Sequence, residues 1–257
     1  LDGRCGSVDR PVLSAFRPVP RAQHVEGTMT DTTILERNLS ALAARGSVVP
    51  DADAADAEPG TRVSLASDGL TLHLHAGQGR IRRLHSAHDP VGEAERFVAP
   101  AFSAGEPPLV IVVGVGLGYA LDAIERRSAR TKVIALEPFP QAVRPFLARR
   151  SWERWLDADR LRLLVGPDYR GAAEAWRDVD ESAPVVPVVR HPVLAREAQA
   201  EMARAQDVAA RILQGARANA DARRRLGGRY LLNTLRNVPV VARSADVAAL
   251  FNRCEGV

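Results

Sequence analysis

Cysteine is almost missing from this 257-residue chain: Cys5 and Cys254 stand near its two ends, and neither has a metal-ligand or redox spacing around it. Two such residues make no disulfide framework, which suits a reducing, cytoplasmic setting. Lysine is scarcer still, with Lys132 alone among many arginines. The sequence pI is about 9.6, yet the formal net charge is only +4 and the arginines are interspersed with Asp and Glu. Aromatic residues make up 5% of the chain, and no basic stripe with interleaved aromatics is visible, so no nucleic-acid partner is expected. No apolar run approaches the roughly eighteen residues of a membrane span, so no membrane partner is expected either. What is present, 46% apolar and 26% charged residues, is the balance of an ordinary globular chain of one large or two small domains.

Residues 1–28 mix Gly and Pro without an apolar period, and Met29 opens a segment that reads like a protein start. The expectation is a leader over 1–28 that is non-native or disordered. Thr33 is placed to cap a short helix with Ile34, Leu35, Leu39 and Leu42 on its apolar side. After an Asp/Ala linker at 51–58 the period changes to two. Val63 and Leu65, a Ser-Asp-Gly turn, then Leu70, Leu72 and Leu74 predict a β-hairpin. His73 and His75 share the opposite face of its second strand. Same-face imidazoles can converge on a metal ion, but no carboxylate or thiol accompanies them, and a solvated strand face is the simpler reading. In "LHSAHDPVGEAERFV", residues 84–98, His85, His88 and Asp89 look like ligands at first sight. Capping explains more of the segment: Asp89 caps a helix, Pro90 occupies its first turn, and Ala94, Phe97 and Val98 form its stripe. Residues 29–100 are therefore expected to form a small α+β region.

From residue 107 strands and helices alternate. "LVIVVGV" is continuously apolar, as a strand buried on both faces of a parallel sheet must be. Helix 118–128, strand 132–137, helix 140–150, strand 161–165, helix 171–178 and strand 184–189 follow, with Pro187 assigning the last to a sheet edge or a bulge. The pattern predicts an α/β core over 107–191, a Rossmann-like, doubly wound and mostly parallel sheet. Ligands of such sheets sit where strand carboxyl ends meet helix N-termini. Gly114, Gly116 and Gly118 lie at that place, with Glu137 at the end of the next strand to accept ribose hydroxyls. Tyr119 stands where the dinucleotide fingerprint needs Gly or Ala. The spacing resembles class I methyltransferases, although Val112 replaces their usual carboxylate. Gly114, Gly116, Gly118 and Glu137 are accordingly the candidate contacts for a nucleotide or S-adenosylmethionine, with Asp168 on the same rim. The alternative is a close strand-to-helix crossing with no ligand.

The last third, 192–257, is expected to be helical: one or two helices over 192–225, a further one burying Leu231, Leu232, Leu235 and Val238, and a short one over 244–257. Asn233 and Asn237 share a face and could grip a ligand, though a solvated pair is more usual.

"LHSAHDPVGEAERFV", "LVIVVGVGLGYALDAI", "VIALEPFPQAV" and "NTLRNVPVVARSADVAALFNRCEGV" resemble, in that order, the N-terminal part of the motility accessory factor family. These are flagellin glycosyltransferases, related to 6-hydroxymethylpterin pyrophosphokinase-like proteins. The His-Ser-x-x-Asp-Pro-x-x-Glu-Ala segment and the Gly-x-Gly-x-Gly-Tyr turn are the most specific pieces. In relatives that look like this, the segment matching "CEGV" leads into a strand and a Gly-x-Gly-Pro-Ser-Leu turn, which opens the domain that transfers a nonulosonic acid from its CMP-activated form to Ser or Thr. The resemblance thus implies an accessory region, with flagellin and the C-terminal catalytic domain as partners and no catalytic residue within 1–257. A methyltransferase, or a pterin pyrophosphokinase using ATP and magnesium, are the competing readings; against the latter, there is no GxxxxGK[ST] turn.

Overall fold

The computed structural model describes residues 30–44, 61–76, 79–179 and 185–243. Helix α1 (Thr30–Ala43) is followed by a three-stranded antiparallel sheet, β1 (Arg62–Leu65), β2 (Leu72–Ala76) and β3 (Arg80–Arg83), in the order β1-β2-β3. The predicted hairpin is β1 and β2, paired with Val63 opposite Leu74. The third strand, "RIRR", carries no alternating apolar signal because all four of its residues are exposed. Helix α1 starts at Thr30, so Thr33 lies inside its first turn instead of capping it. The leader over 1–28, the linker over 51–58, both cysteines and the helix expected at 244–257 lie outside the described residues.

Helix α2 (Pro90–Val98) begins as its sequence predicts. Asp89 is the N-cap, its Oδ1 accepting from Gly92 N–H at 2.8 Å, and Ala94 and Val98 are buried. Glu93 completes the arrangement by accepting from Ser86 N–H at 2.7 Å. Asp89→Ala is expected to lower stability by about 1 kcal/mol, the usual cost of a lost cap; a melting temperature unchanged from native would count against that role.

The second sheet is wholly parallel, in the order β6-β5-β4-β7, with β4 Leu109–Val113, β5 Lys132–Glu137, β6 Leu161–Val165 and β7 Val188–Arg190. Helix α3 (Tyr119–Arg127) connects β4 to β5, and α4 (Pro140–Ala148) with the short α5 (Glu153–Asp157) connects β5 to β6. All five residues of β4 are buried, as expected for a strand covered on both faces. The edge place inferred from Pro187 is that of β7, which starts just after the proline. Residues 171–178 form turns and a short 3-10 helix, Ala175–Asp178, where a full helix was predicted. Its Asp178 pairs with Arg162 of β6.

One buried cluster runs from Leu42 through Leu72, Leu74 and Leu84 of the small sheet to the parallel sheet and Ile212. Asn38 fastens α1 to it. Fully buried, its amide donates to Leu147 O (2.7 Å) and Arg150 O (2.9 Å), and its oxygen accepts from Trp152 N–H at 2.9 Å. The carbonyls of Leu147 and Arg150 lie in the last turn of α4 and just beyond it, and the N–H belongs to Trp152, the N-cap of α5, places where a helix leaves backbone groups without partners of its own.

After α6 (Pro192–Glu197), α7 runs unbroken from Gln199 to Arg243. Its first half packs Met202, Ala205, Val208, Ala209 and Ile212 into the core. Where separate helices over 192–225 and beyond were expected, the Arg-, Ala- and Leu-rich sequence carries one helix through Gly227-Gly228 and Pro239. The predicted burial of Leu231, Leu232, Leu235 and Val238 is not observed: all four are more than half exposed. Asn233 and Asn237 are exposed as well. Among the described residues, no helix is long and apolar enough to cross a membrane.

Candidate functional site

The strand order reverses between β4 and β7, and the crevice at their carboxyl ends is where a doubly wound sheet holds its ligand. The turn 114–118 leaves β4 there, and His191 leaves β7 beside it. The four candidate contacts do come together, but around the protein's own side chains. Glu137, 2% exposed, directs its carboxylate back into the glycine turn. Its Oε2 accepts from Val115 N–H (2.7 Å) and Gly116 N–H (2.9 Å), and its Oε1 from Phe139 N–H (2.9 Å). The turn is a nest of backbone N–H groups of the type that cradles phosphate, and the Glu137 carboxyl group fills it from within. Burial pushes Glu137 up to about 7, while the three backbone donors pull the other way.

Gly116 and Gly118 have φ of +56° and +82°, a region other residues enter only with strain. A Cβ on Gly116 would sit 2.5 Å from His85 Nε2, and one on Gly118 would sit 2.6 Å from the Phe146 ring. Gly114 faces Leu194 and His191 as closely, at 2.7 and 2.9 Å. The glycines therefore make room for side chains that fill the crevice from within. Asp168, expected on the same rim, is exposed and lies near Arg170.

His85 is the plug. It comes from the segment between β3 and α2, is buried, and accepts from Leu117 N–H at Nε2 (2.9 Å). Its neutral ring must then carry the proton on Nδ1, which faces His191 Nε2 at 3.5 Å. That leaves the His191 proton on Nδ1, which is buried and has no hydrogen-bond partner among the described residues. Burial holds both imidazoles below their ordinary range, His191 at about 4. Tyr119 packs edge-on against His85 with ring centroids 4.9 Å apart, and its hydroxyl donates to Leu70 O. Arg149 lies over the Tyr119 ring at 4.6 Å, donates to Leu117 O, and pairs with Asp122 at 2.5 Å.

No family model matches the chain, and no curated protein does. Among solved structures it is similar to the Maf glycosyltransferase from Magnetospirillum magneticum AMB-1. The identity is 16%, the TM-score 0.39, and the match covers 70% of this chain. The chain corresponds to 35% of that protein's length.

The six named residues of the His-Ser-x-x-Asp-Pro-x-x-Glu-Ala segment each have an internal task. His85 holds the glycine turn, Ser86 Oγ accepts from the His88 and Asp89 N–H groups, Asp89 and Pro90 start α2, Glu93 holds Ser86, and Ala94 is buried. His88 is exposed; His73 is half-buried and His75 is bonded to Ser64. Among the described residues no group of three His, Cys, Asp or Glu is placed to share a metal ion. His191 was not singled out in the sequence. Its signal was only that it follows a predicted strand and precedes a proline-started helix, a common place for residues lining a sheet crevice.

Proposed function

We propose that the chain is an accessory region of a glycosyltransferase of the motility accessory factor type. In this reading a domain outside residues 1–257 transfers a nonulosonic acid from its CMP-activated form to Ser or Thr of flagellin, and that domain rests on the outer half of α7. The observation that carries the reading is the bare apolar face of that helix. Tyr230, Leu231, Leu232, Leu235 and Val238 are each exposed by more than half within nine residues, a concentration that marks an interface on a water-soluble fold. The self-filled crevice agrees with it. A nucleotide or S-adenosylmethionine at Gly114, Gly116 and Gly118 would have to displace both Glu137 and His85 from the backbone donors, so the methyltransferase and pyrophosphokinase readings rank second.

The test uses the native reading frame extended past Val257, with flagellin and a CMP-activated nonulosonic acid. Transfer is expected, and Leu231→Glu with Leu235→Glu is expected to reduce it at least tenfold while leaving the melting of the 30–220 core unchanged. Absence of transfer by the extended protein would overturn the reading. So would retention of S-adenosylmethionine by the present chain in equilibrium dialysis at millimolar ligand.

A further inference from the structure

A second hollow lies away from the crevice, between the small sheet and α4. It is lined by Arg62, Ser64, His75, Gln141, Arg144 and Pro145, over the buried Val63. Among the described residues its charge is one-sided: Arg62 on β1 and Arg144 on α4 come from different elements, and no carboxylate of those residues lines the hollow. Elsewhere arginines at comparable positions have acidic partners: Arg80 with Glu197, Arg83 with Asp68, Arg126 with Glu95, Arg150 with Glu125. The hollow at the amino ends of β4 and β5 shows the contrast, since Glu106 and Asp178 line it together with Arg130 and Lys132.

The same hollow holds a hydroxyl–imidazole pair, Ser64 Oγ to His75 Nε2 at 2.7 Å. Arg62 and His75 are direct cross-strand partners, and alternation puts Ser64 on the same face. His75 is held below its ordinary range, first by burial and then by the charges of Arg62 and His73. The hollow therefore offers two arginines, a hydroxyl and an imidazole whose uptake of a proton an anion beside it would favour. A tetrahedral oxyanion uses such donors from several directions, whereas a carboxylate presents two coplanar oxygens and suits a single guanidinium fork.

We propose that this hollow binds a phosphoryl group, either free phosphate or the terminal group of a phosphate monoester. The assignment is independent of the transferase reading, because its residues belong to neither the crevice nor α7. The test is a titration of the intact chain with inorganic phosphate at constant ionic strength, followed by the His75 ring proton resonance. Saturable binding and an upward move of the His75 titration midpoint are expected. Arg62→Ala and Arg144→Ala should each weaken binding tenfold or more with unchanged melting, and Arg130→Ala should leave it as in the native chain. A response that does not saturate, that acetate reproduces, or that Arg130→Ala weakens equally, would overturn the proposal. Glycerol 3-phosphate in a parallel titration separates the two sources: tighter binding than phosphate identifies a monoester, weaker binding the free ion.

Discussion

Glu137→Ala is expected to cost about 3–6 kcal/mol of stability, enough to leave the chain partly unfolded at 37 °C given the usual total of about 5–15 kcal/mol. Three buried backbone N–H groups, those of Val115, Gly116 and Phe139, lose their acceptor at once. Each unsatisfied buried donor costs about 1–3 kcal/mol, and a water in the vacated space recovers part of it. For a domain of this size the melting temperature should fall by roughly 10 °C or more. The matched control is Glu174→Ala, whose side chain is exposed and whose loss should stay within about 0.5 kcal/mol. A fall no larger than the control's would show that the turn does not depend on the carboxylate, and would restore Glu137 as a residue free to meet a ligand.

The same residue shows how far the sequence could be read. Its place after β5, and the three glycines after β4, were legible because apolar runs and glycine turns recur at the period of a βα unit. What the spacing could not say is which way the carboxylate turns. A ribose-binding Glu and a nest-filling Glu occupy the same position in the chain, and only burial separates them. The plug was illegible for a different reason. His85 and His191 are 106 residues apart, and Asn38 holds backbone groups 109 to 114 residues away. Such contacts leave no local period. Strand β3 was missed because an edge strand exposed on every residue has no alternation to detect. The outer half of α7 misled in the opposite direction. Its apolar spacing is that of a buried helix, and the residues that would bury it are not among those that pack on the described core.

The pH dependence of stability is expected to steepen when Glu137 becomes Gln. Between pH 6.5 and 4.5 the unfolded chain takes a proton on His191, while the folded chain keeps that ring neutral down to about 4; His85, also held below its ordinary range by burial, adds to the effect in the same direction. Stability from these two groups is thus present above 6.5 and lost as pH falls. Glu137 acts in the other direction. Its folded form holds a proton up to about 7, so the stability it adds is present below its unfolded value of 4.5 and is lost as pH rises. In this window the proton held by folded Glu137 offsets about 1.4 kcal/mol per pH unit of the loss that comes from the imidazoles. Gln removes the compensating proton, so the loss steepens by about 1.4 kcal/mol per unit, or roughly 3 kcal/mol across the window. Urea unfolding of the native chain and Glu137→Gln at pH 6.5, 5.5 and 4.5 measures both slopes. Parallel curves would mean that the three N–H donors keep Glu137 ionised throughout, and a flat native curve would mean that the imidazoles accept protons inside the fold. A slope steepened by that amount would show that Glu137 is held protonated inside the fold, as a carboxyl group buried behind the glycine turn is and one open to water and a ligand is not.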